Sequence, residues 1–295
     1  MPILLSESLN PYFNLATEEY LLKSSISEDI FFIWKANKAF VFGRNQNPFA
    51  EIHPDYFKKD IPIIRRISGG GTVFIDESTL NFCYITSNYH KKINDYEHFL
   101  RPIIKALNSL GFEIEFKPKS HLFIKDKKIS GNAQAFVNKK LLHHGTILYD
   151  ADLSVIDEAL IKHNSNIEGL QIKSNKQSVI NLKDVLNESN IDEITNALIN
   201  EVASQENFNK NEICFSSDEI REIEDLSKNK YQSPEWNFGK TPLFQTKIEY
   251  KNRYLMLKID KGKVTFVDNN KFDKLIGLYY YSEEYFTELE KILKI

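Results

Sequence analysis

The sequence predicts a chain of mixed helices and strands, with one large unit followed by a small one. Three observations predict this. Helical and strand patterns alternate irregularly, with no repeating βα unit. A length of 295 residues can bury a substantial core. The stretch YQSPEWNFGKTPLFQ, residues 231–245, interrupts the pattern with two prolines, a glycine and a tryptophan. The junction is therefore expected there, dividing the chain into 1–240 and 241–295.

The elements follow in order. Asn14 is expected to cap a helix through NLATEEYLL, and FFIWKANKAFVFG to form a strand pair turning at Lys35 to Lys38. IPIIRR and GTVFIDE resemble strands joined by a glycine loop, and LNFCYI adds another. In DYEHFLRPIIKALNSLG, Asp95 is the cap and Gly111 the stop. Phe99, Ile103, Leu107 and Leu110 share one face, and Pro102 is placed to kink the helix. A hairpin at HLFIKDKKIS, a strand at KLLHHGTILYD and a short helix near VIDEALIKH come next. Residues 171–178 read as a loop. Helices near IDEITNALINEVA and after Ser216, with Glu219 completing a capping box, close the first unit. The second holds strands in TKIEYKNRYLMLKID and KVTFVDN and a helix around SEEYFTELEKIL.

Charge and composition exclude several function classes. A net charge of −3 gives no basis for a nucleic-acid binder. No apolar run reaches bilayer-spanning length, and the N-terminus lacks a signal-peptide pattern. Cys83 and Cys214 form neither a CxxC pair nor a disulfide framework, so a reducing, cytoplasmic setting is expected. Cys83, in an alternating apolar strand, reads as a buried inert thiol. Cys214 precedes a helix start, where a lowered pKa would make it reactive.

The densest chemical signal is RRISGGGTVFID, residues 65–76, which places three of the chain's 11 glycines side by side. Glycine lets a ligand approach the backbone, and successive amides there can converge on an anion. Arg65 and Arg66 can add contacts to phosphate or carboxylate. The alternative is a hairpin turn with incidental arginines, and the loop matches neither a P-loop nor GxGxxG. GRNQNP (43–48) adds an amide-rich turn. KKISGN (127–132) sets Lys128 beside Ser130 and Gly131, in company with several other lysines. In HHGT (143–146), His143 and His144 point to opposite faces of a strand, which argues against a shared zinc ion; no metal-ligand set is assigned.

Taken in order, these stretches resemble the lipoate–protein ligase family. RRISGGGTVF is similar to its lipoate-binding loop. GRNQNP, KISGNAQ, HHGTILYDADL, NPYFNLATEE and PEWNFGKTP resemble further family motifs, so the likeness spans nearly the whole chain. The resemblance implies an α+β fold: a mixed-sheet biotin/lipoate ligase-like catalytic domain and a small α+β accessory domain. It implies ATP-dependent activation of lipoate to lipoyl-AMP, with Mg²⁺ accompanying ATP. The lipoyl group then passes to a lysine of a carrier, either a 2-oxoacid dehydrogenase lipoyl domain or a glycine cleavage H protein. By match, Lys128 touches both the lipoate carboxyl and the α-phosphate; Arg66, Gly71, Thr72, Val73 and Phe74 meet the nucleotide. Arg66, Ser68, Gly69, Gly70, Gly71, Asn45, His144 and Gly145 line the lipoate pocket. Three departures stand out. Ser120-His121 replaces the usual Asn-Asp, Lys176-Gln177-Ser178 replaces Arg-Ser-Arg, and the accessory unit is about one helix short. Two rival readings remain: a cysteine-dependent octanoyl or lipoyl transferase, and a carrier-binding paralogue without catalysis.

Overall fold

The computed structural model describes residues 2–294 except 27, 91, 118–119, 161–166, 170–173, 175–176, 187–189, 205–214 and 251–252. Its frame is a seven-stranded mixed sheet ordered β1 (Ile3–Leu5), β2 (Ile30–Trp34), β6 (Thr79–Thr86), β10 (Lys140–Leu148), β9 (Lys127–Val137), β8 (His121–Ile124) and β7 (Glu115–Lys117). Only β1–β2 pair in parallel within it; the other pairs are antiparallel. The alternation of side chains sorts two cores. Phe31, Ile33, Phe82 and Ile147 face α3 (Tyr96–Ser109) and α5 (Ile191–Ala203). Phe32, Trp34, Cys83 and Leu142 face α1 (Pro11–Lys23) and α6 (Ser217–Leu226).

α3 follows its expectation: Asp95 accepts from the His98 amide at 3.1 Å, and Gly111 has φ +91° beyond the end. The helix runs on through Pro102. Two other expectations fail. Asn10, not Asn14, caps α1, accepting from the amides of Tyr12 (2.9 Å) and Phe13 (3.3 Å). Asn14 is buried inside α1, and its amide nitrogen donates to the carbonyls of Ser8 (2.8 Å) and Lys35 (2.9 Å). Nor do β2 and β3 (Ala39–Phe42) pair. β3 is the centre of a separate three-stranded sheet, between β4 (Ile63–Arg65) and β5 (Val73–Ile75).

That order settles the hairpin alternative for the glycine loop. β4 and β5 both bond to β3 and not to each other, so residues 66–72 must cross the end of β3. At the crossing stands Gly43, where a Cβ would run into the Gly70 carbonyl oxygen. Arg65 anchors the same corner from behind. Its fully buried guanidinium donates to the carbonyls of Arg44 (2.6 Å), Gln46 (3.0 Å), Trp236 (3.1 Å) and Asn237 (2.8 Å).

The C-terminal sheet, ordered β11 (Ile167–Gly169), β12 (Phe244–Tyr250), β13 (Arg253–Asp260) and β14 (Lys263–Val267), takes its edge strand from far earlier in the chain than the other three. Phe49, fully buried, stacks on Phe57 and Phe238 and packs against Phe244 and Tyr280. One apolar cluster thus joins Phe49 to the C-terminal sheet, and helix α8 (Glu283–Lys294) adds Tyr285 and Ile292 to it.

Candidate active site

Two cavities meet beneath the glycine loop. The larger, about 300 Å³, has apolar walls from Leu15, Trp34, Val41, Val73 and Ile75. The smaller, about 220 Å³, is bordered by Glu51, Phe74, Ser130, Ile156, Gln177 and Val179. Thr72, Val73, Lys128, Gly131, Thr146 and Ser174 line both, so Lys128 stands where they join. Each element has a local reason. Hairpin β8–β9 turns at Lys125 and Asp126, both at positive φ, and presents Lys128 from the first residues of β9. Gly131, lacking a side chain, leaves room for the ammonium: a Cβ there would lie 3.1 Å from Lys128 Nζ. Across the strand, the Lys128 amide donates to the Ser178 carbonyl at 2.8 Å.

The closed end of the larger cavity is polar and fully wired. Trp34 Nε1 donates to Glu18 Oε1 at 3.1 Å, and Glu18 Oε2 lies 2.7 Å from His144 Nδ1. His144 Nε2 lies 2.7 Å from Ser68 Oγ. A carboxylate at Nδ1 holds the ring proton there, leaving Nε2 to accept from the Ser68 hydroxyl. Arg66 Nε donates to the same hydroxyl at 2.9 Å. Its remaining donors reach the carbonyls of Val41 (3.0 Å), Gly69 and Gly71 (2.8 Å). Gly70 between them has φ +89°.

Electrostatically the junction is cationic. Burial, then Arg66, pulls the Lys128 ammonium down to about 8. Burial also lowers Arg66 to about 10, against the opposing pull of Glu18. Among the described residues Lys128 Nζ has no hydrogen bond or ion pair. Two desolvated cations, of which Lys128 has no carboxylate paired to it among the described residues, favour an anionic ligand.

Residues 10–203 match the family described as "Lipoyl protein ligase A/B catalytic domain". The chain belongs to that family. Its relatives include lipoate–protein ligase 1 of Staphylococcus aureus, 31% identical, covering 86% of this chain and 79% of that protein. A probable lipoate-protein ligase A of Mycoplasma genitalium is 34% identical, with 89% and 80% covered. Among solved structures, lipoate-protein ligase A bound with ATP superposes with a TM-score of 0.67 at 25% identity, covering 80% of this chain and 97% of that one. A bi-partite lipoate protein ligase from Thermoplasma acidophilum, studied with its E2 lipoyl domain, gives 0.70 at 25%, covering 82% and 97%. The α+β ligase fold expected from the resemblance is therefore the observed one.

Of the residues singled out in the sequence of this family member, Arg66, Gly70, Gly71, Thr72, Val73, Phe74, Lys128, His144 and Gly145 border one cavity or the other. Others need correction. Asn45 is exposed on its turn and lines neither cavity. Its neighbour Gln46 turns inward, accepting from the Gly43 amide at 2.8 Å and the Thr72 hydroxyl at 3.1 Å. Arg65 is spent on carbonyls and is not available to a ligand. Arg66 faces the cavity but clamps the loop. Ser68 lies behind the wall, and exposed Gly69 lies outside it. Cys83 is fully buried, and burial pushes its thiol well above the ordinary range. Cys214 and Lys176 fall outside the described residues.

Sequence reasoning missed Glu18, Trp34, Asn132 and Ser174. Ser174 Oγ accepts from the Thr72 amide at 2.9 Å and bonds to Glu51. Glu18 lay inside a motif quoted for the resemblance, which is the one signal that pointed to it. No three His, Cys, Asp or Glu side chains among the described residues converge as a metal site. Glu51, the acid of the smaller cavity, is already bonded to Ser174.

Proposed function

We propose that this chain is an ATP-dependent lipoate–protein ligase acting in the cytoplasm. The carrying observation is the pair of cavities joined at Lys128, one walled by Leu15, Trp34, Val41 and Ile75, the other setting Glu51, Ser130 and Gln177 among Phe74, Ile156 and Leu160. The aliphatic tail of the acid fits the first, burying its dithiolane against Trp34 and Ile75, and its carboxylate reaches the junction. The nucleotide occupies the second. Attack of a carboxylate oxygen on the α-phosphorus brings two anions together. An ammonium between them lowers that barrier most where water is excluded. The P–O bond to pyrophosphate breaks, leaving lipoyl-AMP. A carrier lysine then attacks the acyl carbonyl and AMP departs.

Within this reading, Gly71, Thr72, Val73 and Phe74 border the nucleotide, and Asn132 the acyl head. Gln177, whose Oε1 is buried and has no hydrogen-bond partner among the described residues, borders the smaller cavity and would offer an acceptor to the base. Mg²⁺ enters with ATP and is held by phosphate oxygens and water, since the lining offers no carboxylate set for it. The acceptor is a lipoyl domain or an H protein. Residues 241–295 form the accessory unit and support adenylation.

The cysteine-dependent alternative loses Cys83 to burial, and the non-catalytic alternative fits poorly with an intact Lys128 junction. The test is incubation of purified protein with ATP, Mg²⁺ and lipoate, reading pyrophosphate release, then mass spectrometry of an added lipoyl domain. Pyrophosphate release without lipoate, or an unmodified carrier, would refute the reading.

A further inference from the structure

Acyl transfer poses a proton problem that the cations around Lys128 do not solve. A lysine amine with an ordinary pKa near 10.4 is almost wholly protonated at neutral pH, and an ammonium is no nucleophile. A neighbouring acceptor for its proton accelerates such a step by roughly 10²–10⁴-fold. Besides Lys128 itself, the groups among the described residues that border the two cavities and can take up a proton are Glu18, Glu51, His121 and His144. Glu18 and His144 are bonded to each other at the closed end, and both ring nitrogens of His144 are engaged. Glu51 is bonded to Ser174.

His121 differs from the other three. It lies opposite Gly131 in the β8–β9 register, on the side where Lys128 folds over that glycine. Its Nδ1 is closed off from solvent and has no hydrogen-bond partner among the described residues. A buried ring nitrogen left unpaired costs stability, so its retention beside the reaction centre asks for a ligand. Ser120 before it has φ +120°, a strained conformation for a residue with a side chain, and its carbonyl is held by Asn132 Nδ2 at 3.0 Å. That bond fixes the backbone from which the ring projects.

We propose that His121 accepts the proton of the incoming carrier lysine during acyl transfer. In this step the ammonium gives one proton to the imidazole, the freed amine nitrogen bonds to the acyl carbon, and the bond from that carbon to the phosphate oxygen breaks. AMP leaves with the electron pair, and the second proton on nitrogen passes to solvent. Burial, then Lys128, pulls the ring down to about 4, with a smaller opposing effect from the Ser120 carbonyl, so at neutral pH it is an unprotonated acceptor. The phosphate formed beside Lys128 offsets that charge and holds the imidazolium. The charged groups around the ring are Lys128 on β9 and Lys117 on β7, and Lys117 is itself paired with Asp126 and Glu115. Arg66 stands beyond Lys128.

The inference rests on the ligase reading, and its test separates the two. Transfer from synthetic lipoyl-AMP to a lipoyl domain is measured for the wild type and for His121→Gln between pH 6.5 and 10. Pyrophosphate release and thermal unfolding are measured on the same preparations. At pH 7 the variant is expected to lose about 100-fold in transfer, at least tenfold more than it loses in pyrophosphate release. The deficit should shrink toward pH 10, where the lysine amine deprotonates unaided. Hydroxylamine, neutral at pH 7, should narrow the deficit when it replaces the carrier as acceptor. Equal losses in both half-reactions, a deficit constant with pH, or the same deficit with hydroxylamine would overturn the assignment. A wild type inactive in both half-reactions overturns the ligase reading and this inference with it.

Discussion

Gly43→Ala tests whether the glycine loop works by position. Gly43 borders neither cavity. Yet a Cβ there would fall well under 3.0 Å from the Gly70 carbonyl oxygen and 3.1 Å from the carbonyl carbons of Gly69 and Gly70. All three atoms are backbone, so no rotamer change relieves the clash. The loop cannot pivot locally, because Arg66 holds Gly69 and Gly71 on either side of Gly70. It must move as a piece by roughly an ångström, a displacement that can cost on the order of 10²-fold in rate.

The overpacking itself costs about 1–3 kcal/mol, a fall of several degrees in Tm for a chain of this size. The assay is lipoate-dependent pyrophosphate release beside a thermal melt, with Gly69→Ala as comparison, since a Cβ at Gly69 meets nothing within 4 Å. Gly43→Ala should lose about 100-fold in kcat/KM while remaining folded at the assay temperature, and Gly69→Ala far less. Equal losses in the two variants, or a Gly43→Ala enzyme within threefold of wild type, would refute the positional argument.

Other outcomes follow from the same geometry. Lys128→Ala should lower adenylation by at least ~100-fold, since it removes a charge acting where negative charge gathers; a near-normal rate would contradict its role. Because that ammonium sits at about 8 in the empty site, kcat/KM for adenylation should fall as pH rises through that value, whereas kcat, read on the anion-filled site, should hold to higher pH. His143 is fully buried with Nε2 unpaired, and burial holds it neutral well below the usual range. The unfolded chain therefore binds a proton that the native state refuses, so stability is complete above about pH 6.5 and declines below it by about 1.4 kcal/mol per pH unit. Denaturant melts from pH 7.5 to 5 should show a shallower decline in His143→Phe. Phe49→Ala should cost ~3–5 kcal/mol, and removal of residues 241–295 should expose the Phe49 cluster. A truncated protein with an unchanged melt would show that the two units do not share a core.

The reaction centre was more legible in the sequence than its surroundings were. Lys128, one lysine among several, was picked out only by the family resemblance, whereas tri-glycine announces itself because its chemistry is local, three unhindered peptides in a row. Asp95 and Ser216 are legible for the same reason, since a cap is satisfied within four residues. Glu18 and Trp34 were not. Within α1 a glutamate reads as solvated, and within FFIW a tryptophan reads as core; only the packing of α1 on β2 and β10 brings both to His144. The turn at Lys35 to Lys38 misled because a short polar link between apolar runs looks the same whether the second strand pairs back or leaves for another sheet.

The two arginines show the limit most clearly. Adjacent at the end of β4, they reach different partners, and each is consumed mainly by carbonyl oxygens. Arg65 ties the turn at 43–46 to the junction at 236–237, while Arg66 gathers Gly69 and Gly71. In a trans peptide the C=O and N–H point in opposite directions. Drawing the carbonyls of Gly69 and Gly71 toward a guanidinium therefore turns the amides of Gly70 and Thr72 away from it, and the Thr72 amide emerges at Ser174 on the wall shared by both cavities. Arg66 thus contributes its charge through space and its hydrogen bonds through the loop. Lysine at that position would keep the first and lose the second, because one ammonium cannot span three carbonyls and a hydroxyl held in planar array. Arg66→Lys should accordingly impair adenylation with little change in the electrostatic field, whereas an arginine that acted only as a counter-charge would tolerate the exchange.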